Sequence, residues 1–84
     1  MRYKIGDRIK IRTWENMMKE YGSFPDGKEI MLDSPLYFAS EVEEEINKNF
    51  PDRILTVLSA VSGFYTMEKT IHAFTDEMIE GLVE

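Results

Sequence analysis

His72 is the sole histidine of this sequence, and with Ser59, Ser62 and Asp76 it supplies the residue types of a hydrolytic triad. Such a triad also needs a nucleophile on a strained turn and N–H donors for the oxyanion, and neither signature accompanies these residues. A single histidine in a strand is more often a packed or surface residue than a base. No catalytic residue is therefore assigned, and the chain is read as a non-enzyme. Glu41, Glu43, Glu44 and Glu45 gather four carboxylates in five positions without the Asp-x-Asn-x-Gly rhythm of a calcium loop. A Gly-rich phosphate loop, a Walker-type lysine and a dinucleotide fingerprint are all missing. With no cysteine, thiolate nucleophiles, disulfides and Cys-based metal sites are excluded. No cofactor and no metal site is expected.

What remains is binding, and the charges are arranged for it. The first twelve residues hold five basic groups (Arg2, Lys4, Arg8, Lys10, Arg12) against the single acid Asp7, a balance of +4. The rest of the chain holds five basic and fifteen acidic groups, a balance of −10, which gives −6 overall. So acidic a chain suits a protein partner with a basic surface better than a nucleic acid, whose phosphates need cations. The candidate partner-binding residues are Glu41, Glu43, Glu44 and Glu45, joined by Asp76, Glu77 and Glu80. The alternative is a nucleic-acid contact through Arg2, Lys4, Arg8, Lys10 and Arg12, with Tyr3, Trp14 or Phe24 available to stack on bases. A more ordinary use of those cations is to pair with the acidic helix of the same domain.

These groups must be carried by a small fold. Eighty-four residues allow one domain with a thin core, and 43% apolar content is that of a globular chain. Six methionines can fill irregular gaps or form an adaptable surface. No secretory h-region, membrane span or lipidation signal is found, which points to the cytoplasm and away from membranes.

From Tyr3 to Arg12, apolar residues Tyr3, Ile5, Ile9 and Ile11 alternate with the basic ones, the period of a half-buried strand. Gly6-Asp7 interrupts it as a turn or bulge. Thr13 can cap a helix over 14–21, where Trp14, Met17, Met18 and Tyr21 form one stripe and Gly22 stands at the C-cap. Residues 23–27 read as an exposed, mobile loop, and Ile30-Met31-Leu32 as a brief strand ended by Asp33-Ser34-Pro35.

Ser40 and Glu43 have capping-box spacing, which predicts a second helix over 41–49 with Val42 and Ile46 inward, and Glu41, Glu44 and Glu45 in solvent. Pro51 ends it. Residues 54–61 form a β-branched strand, Ser62-Gly63 a hairpin turn, and 64–67 the returning strand. Glu68-Lys69 turns into a third strand over 70–74 whose inward face the pattern leaves open. Thr75 begins one turn of α- or 3-10 helix, Gly81 stops it, and Leu82-Val83 is a closing edge strand that pairs with the first. The expected fold is α+β, mainly β, a partly open barrel with one or two helices inserted after the first strand.

Two patches resemble small SH3-like barrel proteins of phages and prophages of Gram-positive bacteria. Tyr3-Lys4-Ile5-Gly6-Asp7-Arg8-Ile9-Lys10-Ile11-Arg12 is similar to the Gly-Asp opening strand shared with KOW-type and Tudor-type barrels. Phe74-Thr75-Asp76-Glu77-Met78-Ile79-Glu80-Gly81-Leu82 resembles the family's closing segment, with Phe74 where the family often has Trp. The resemblance implies one SH3-like domain over residues 1–84 and a phage setting, but no activity. In that setting an acidic binder would act as an inhibitor of a host nucleic-acid enzyme, in the manner of anti-CRISPR proteins. A structural role in a virion is a further alternative.

Overall fold

The Ile9/Ile11 alternation builds an inner strand of the sheet, one place in from its edge. The computed structural model describes residues 2–32 and 36–83. β1 (Arg8–Ile11) is followed by α1 (Trp14–Tyr21), β2 (Glu29–Ile30), β3 (Phe38–Ala39) and α2 (Ser40–Asn49). Then come β4 (Ile54–Val61), β5 (Phe64–Met67), β6 (Ala73–Phe74), a 3-10 turn (Asp76–Met78) and β7 (Ile79–Leu82). Five strands form one antiparallel sheet in the order β6-β5-β4-β1-β7, while β2 and β3 pair separately. The result is an α+β domain richer in strand than helix, with both helices between β1 and β4. The sheet stays open. Among the described residues no pairing joins β6 to β7, so no closed barrel forms.

Ile9, Ile11, Met17, Ile30, Phe38, Val57, Tyr65, Met67 and Phe74 are fully buried and make the core, with Leu55, Ile46 and Met78 nearly so. Removing a side chain such as Ile9 to Ala would cost about 2–5 kcal/mol, a large share of the stability of a domain this size. The radius of gyration, 12.0 Å, is close to the roughly 11.9 Å expected of a packed 84-residue chain.

The opening strand is shorter than its alternation predicts. Gly6 takes φ +91° and sits in a turn, where the Asp7 N–H donates to the Lys4 carbonyl (3.0 Å) and the Lys4 N–H to the Asp7 carboxylate (3.1 Å). The turn breaks the period, so Tyr3 stays buried but Ile5 is 70% exposed, against expectation. After it, Asp7 and Gly6 exchange backbone bonds with Val57, both 2.9 Å, and the ladder with β4 begins.

α1 forms over the predicted residues. Thr13 Oγ1 accepts from the Asn16 N–H at 3.1 Å, and the Gly22 N–H, at φ +78°, closes on the Met18 carbonyl. Only Met17 of its stripe is fully buried, and Trp14, Met18 and Tyr21 are half-buried. The Ile30-Met31-Leu32 strand is instead Glu29–Ile30, with Met31 turned out, and its expected stop at Asp33-Ser34-Pro35 lies outside the described residues. Its partner β3 has no alternation in sequence to announce it. The loop before it is exposed at Pro25, Asp26 and Gly27 but tied by its own bonds: Gly27 N–H to the Phe24 carbonyl, and Lys28 N–H to the Asp26 carboxylate.

The Ser62-Gly63 hairpin has both central residues at positive φ, 55° and 86°, as a type I′ turn requires, and pairs Val61 with Phe64. β4 carries a bulge between Val57 and Ser59, which turns Leu58 out to solvent. The third strand is only Ala73–Phe74, with Phe74 inward and Ile71 95% exposed, because the turn at Lys69 (φ +67°) leaves residues 70–72 off the ladder. The 3-10 turn ends at Met78, so Gly81 lies within β7 and does not stop a helix, and the closing strand starts at Ile79. β7 does pair with β1, through a bulge at Lys10/Ile11.

Candidate functional site

The capping box is absent, and its glutamate does something else. Ala39 holds the N-cap position of α2 without a side-chain bond, so the helix starts at Ser40. Glu43 turns to the other side and takes the guanidinium of Arg53 in a two-pronged pair: Nη1 to Oε2 at 2.9 Å and Nη2 to Oε1 at 2.8 Å. Arg53 is buried and all five of its guanidinium N–H donors are used. Nε donates to the Ile11 carbonyl (3.2 Å), Nη1 also to Asn47 Oδ1 (3.3 Å), and Nη2 also to the Arg12 carbonyl (2.6 Å). This one side chain therefore ties α2 to the end of β1. Its backbone is held at φ +61° by the Phe50-Pro51-Asp52-Arg53 turn, whose closing bond runs from the Arg53 N–H to the Phe50 carbonyl.

Arg12 is a second hub. Its guanidinium donates to Asn16 Oδ1 (2.7 Å), Tyr21 Oη (3.4 Å), the Glu77 carbonyl (3.0 Å) and the Glu20 carboxylate, and lies over the Tyr21 ring. The hydrogen bond from Arg12 holds the Glu20 carboxyl below its usual pKa. Of the five cations assigned to a nucleic-acid surface, Arg12 is thus committed inside the fold, and to α1 instead of the acidic helix. Arg2, Lys4 and Arg8 are exposed and Lys10 is half-buried.

The third cluster ties residues 2–3 to β5 and the 3-10 turn. Tyr65 Oη donates to Asp76 Oδ1 at 2.6 Å and accepts from the backbone N–H groups of Arg2 and Tyr3, both at 3.1 Å. Tyr65 is fully buried, which raises the pKa of its phenol, and the Asp76 carboxylate that accepts its proton raises it further.

The predicted acidic positions now separate by geometry. Glu43 is spent on Arg53. Glu45, expected in solvent, is half-buried, with Oε2 2.7 Å from His72 Nε2, because the chain beyond Lys69 brings His72 against α2. Asp76 serves Tyr65. Glu41, Glu44 and Glu80 are exposed, the first two being neighbours at i, i+3 on the outer side of α2. Glu77 is half-buried, and its Oε1 is shut off from water without a hydrogen-bond partner. The Ser59 hydroxyl pairs with Thr66 Oγ1 at 2.6 Å across β4 and β5 while His72 Nε2 is engaged by Glu45, so the two do not bond each other.

Arg53 and Tyr65 were absent from the sequence-derived set. The sequence did carry one trace of Arg53, a lone cation between a Pro-Asp turn and an apolar strand; nothing in it marked Tyr65 as a junction. Among the described residues no three His, Asp or Glu side chains are placed to hold a metal ion, and no helix is long and apolar enough to cross a membrane.

No family model matches this chain, and no curated protein or solved structure matches it either.

Proposed function

We propose that this chain is a non-enzymatic protein-binding module that engages a basic partner surface through the outer side of α2. The observation that carries this reading is the division of labour on that helix. Glu43 anchors it to Arg53, and Glu41 and Glu44 stand exposed on a support that the anchor fixes. Two arginines, Arg12 and Arg53, are folded inside with one acid each, Glu20 and Glu43, so the surplus of −6 stays on the remaining groups. Complementary charge of this kind chiefly sets on-rate and partner choice.

The reading as an SH3-like barrel belongs to the same proposal. It is supported by a meander of β4, β5 and β6, a 3-10 turn before the last strand, and a β7 that returns to β1. With the resemblance of the opening and closing segments, it suggests a phage-encoded inhibitor of a host nucleic-acid-binding defence enzyme.

The test is affinity capture from a bacterial lysate with three baits: the unaltered chain, Glu41→Lys/Glu44→Lys, and Arg2→Glu/Arg8→Glu. Recovery of a basic protein by the first and third baits but not the second is expected. Capture that survives reversal of Glu41 and Glu44 removes α2 from the interface. Capture of nucleic acid that fails only with the third bait would favour the nucleic-acid reading, which retains exposed Arg2, Lys4 and Arg8.

A further inference from the structure

β1 pairs with β7 on one side, and among the described residues no strand lies along the other. The register tells which backbone groups are left over there. Leu82 stands opposite Ile9, and the Val83 N–H donates to the Arg8 carbonyl at 2.8 Å. Because hydrogen-bonded and non-bonded pairs alternate along an antiparallel ladder, the N–H and carbonyl of Leu82 point away from β1. They are a donor and an acceptor set for one residue of an incoming strand.

The side chains around them say what that strand must carry. Leu82 is 53% exposed although Ile9, its cross-strand partner on the same face, is fully buried, so the apolar row stops one strand short of being covered. Glu80 is exposed and has neither an ion pair nor a hydrogen bond among the described residues. Gly81 between them adds no side chain, and nothing lies within 4 Å of where its Cβ would stand. Arg8 and Lys10 are on β1, two strand spacings or roughly 10 Å from an added strand, which is about a Debye length at physiological salt. Glu80 is therefore the charge an incoming strand meets first.

We propose that the free side of β7 receives an extended segment of a protein partner, with a Lys or Arg of that segment opposite Glu80 and an apolar residue, two positions along, opposite Leu82. The inference rests on the reading of the chain as a binder of basic proteins and gives the partner a backbone-paired strand site apart from α2. Main-chain bonds to Leu82 supply affinity that is indifferent to sequence, while Glu80 and Leu82 supply the choice of segment.

The probe is Ac-Val-Thr-Lys-Thr-Val-NH2, whose palindromic order sets the cation against Glu80 from either direction. It is titrated into the 15N-labelled chain and followed by amide shifts and hydrogen exchange. Saturable shifts at Glu80, Leu82 and Val83 are expected at millimolar concentration, with slowed exchange of the Leu82 N–H, which in the free chain exchanges faster than that of Val83. Ac-Val-Thr-Glu-Thr-Val-NH2 should bind about fivefold more weakly, and Glu80→Lys should reverse that preference. N-methylation of both valines, which removes the donor facing the Leu82 carbonyl, should abolish binding. Equal binding of the two peptides, a preference that Glu80→Lys leaves unchanged, or binding that survives N-methylation overturns the proposal. So does Leu82 protection that grows with chain concentration alone, which would give the site to a second copy. Glu41→Lys/Glu44→Lys should leave peptide binding intact, so loss of the strand site and loss of the α2 surface are told apart; peptide binding that vanishes there would return the site to α2 and overturn the proposal.

Discussion

Glu43 and Arg53 face each other across the gap between α2 and the sheet in a two-pronged ion pair at 2.8 and 2.9 Å. Side chains of both are largely sheltered, 18% and 10% exposed, so each protects the other from standing as a bare charge in the interior. Glu43→Ala should lower unfolding stability by about 2–4 kcal/mol, read as a lower urea midpoint at unchanged slope. Combined with Arg53→Met the loss should fall well short of the sum of the two single losses, because the second change removes the stranded cation. Additive losses would mean that the pair is not coupled.

The same geometry separates structural from surface glutamates. Glu41→Lys/Glu44→Lys should change stability by no more than about 0.5 kcal/mol, as exposed positions do, while Glu43→Lys should leave little folded protein. Thermal unfolding of the two variants side by side checks this.

Tyr65 predicts an alkaline limb in the stability profile. Its phenol is held protonated in the fold by burial and by Asp76, so its folded pKa lies above its unfolded one. The stabilisation is then fully present below the unfolded pKa of about 10 and is lost as pH rises through the folded value. Tyr21, shifted upward chiefly by burial, acts in the same direction. Tyr65→Phe should cost about 1–3 kcal/mol at neutral pH, since it strands the Arg2 and Tyr3 amides and Asp76. It should also flatten the fall above pH 10, measured by chemical denaturation at a series of alkaline pH values.

The hairpin tip offers a gain. Ser62 sits at φ 55°, where Asn is more at ease, so Ser62→Asn should add about 0.5 kcal/mol and raise Tm by about 2–4 °C. A lowered Tm would mean that the serine hydroxyl contributes more than its backbone angle loses.

Exposed Arg2, Lys4 and Arg8 make the nucleic-acid alternative measurable. A mobility shift that weakens steeply from low to moderate salt, and is abolished by Arg2→Glu/Arg8→Glu, would show phosphate contacts. No shift at low salt is the expected result, since the summed field of the chain repels phosphate.

Elements whose pattern is local were legible in the sequence. Thr13 and Gly22 delimit α1 by bonds made within a few residues, and Ser62-Gly63 needs nothing beyond its own backbone angles. Where outcome depends on distant partners, local pattern misled. Glu43 stood at capping distance from Ser40, yet a guanidinium ten residues on outcompeted the backbone N–H. Ile5 kept the alternation but lost its place in the core to the turn at Gly6, and the face of β6 was settled by pairing of Phe74 with Tyr65. The anionic positions were recognised as a group; which of them are occupied internally by Arg53, His72 and Tyr65 follows only from tertiary contacts.

The two margins of the open sheet are unequal. β6 ends after two residues, too few rungs for an added strand to gain much, whereas β7 runs for four and ends at Leu82, 53% exposed. Glu80, midway along that longer rim, puts a charge where a stacking neighbour would have to lie. Self-templating is thereby confined to one side of the molecule and discouraged there, and neutralising that single carboxylate is the shortest route by which two copies of this fold would begin to pair edge to edge.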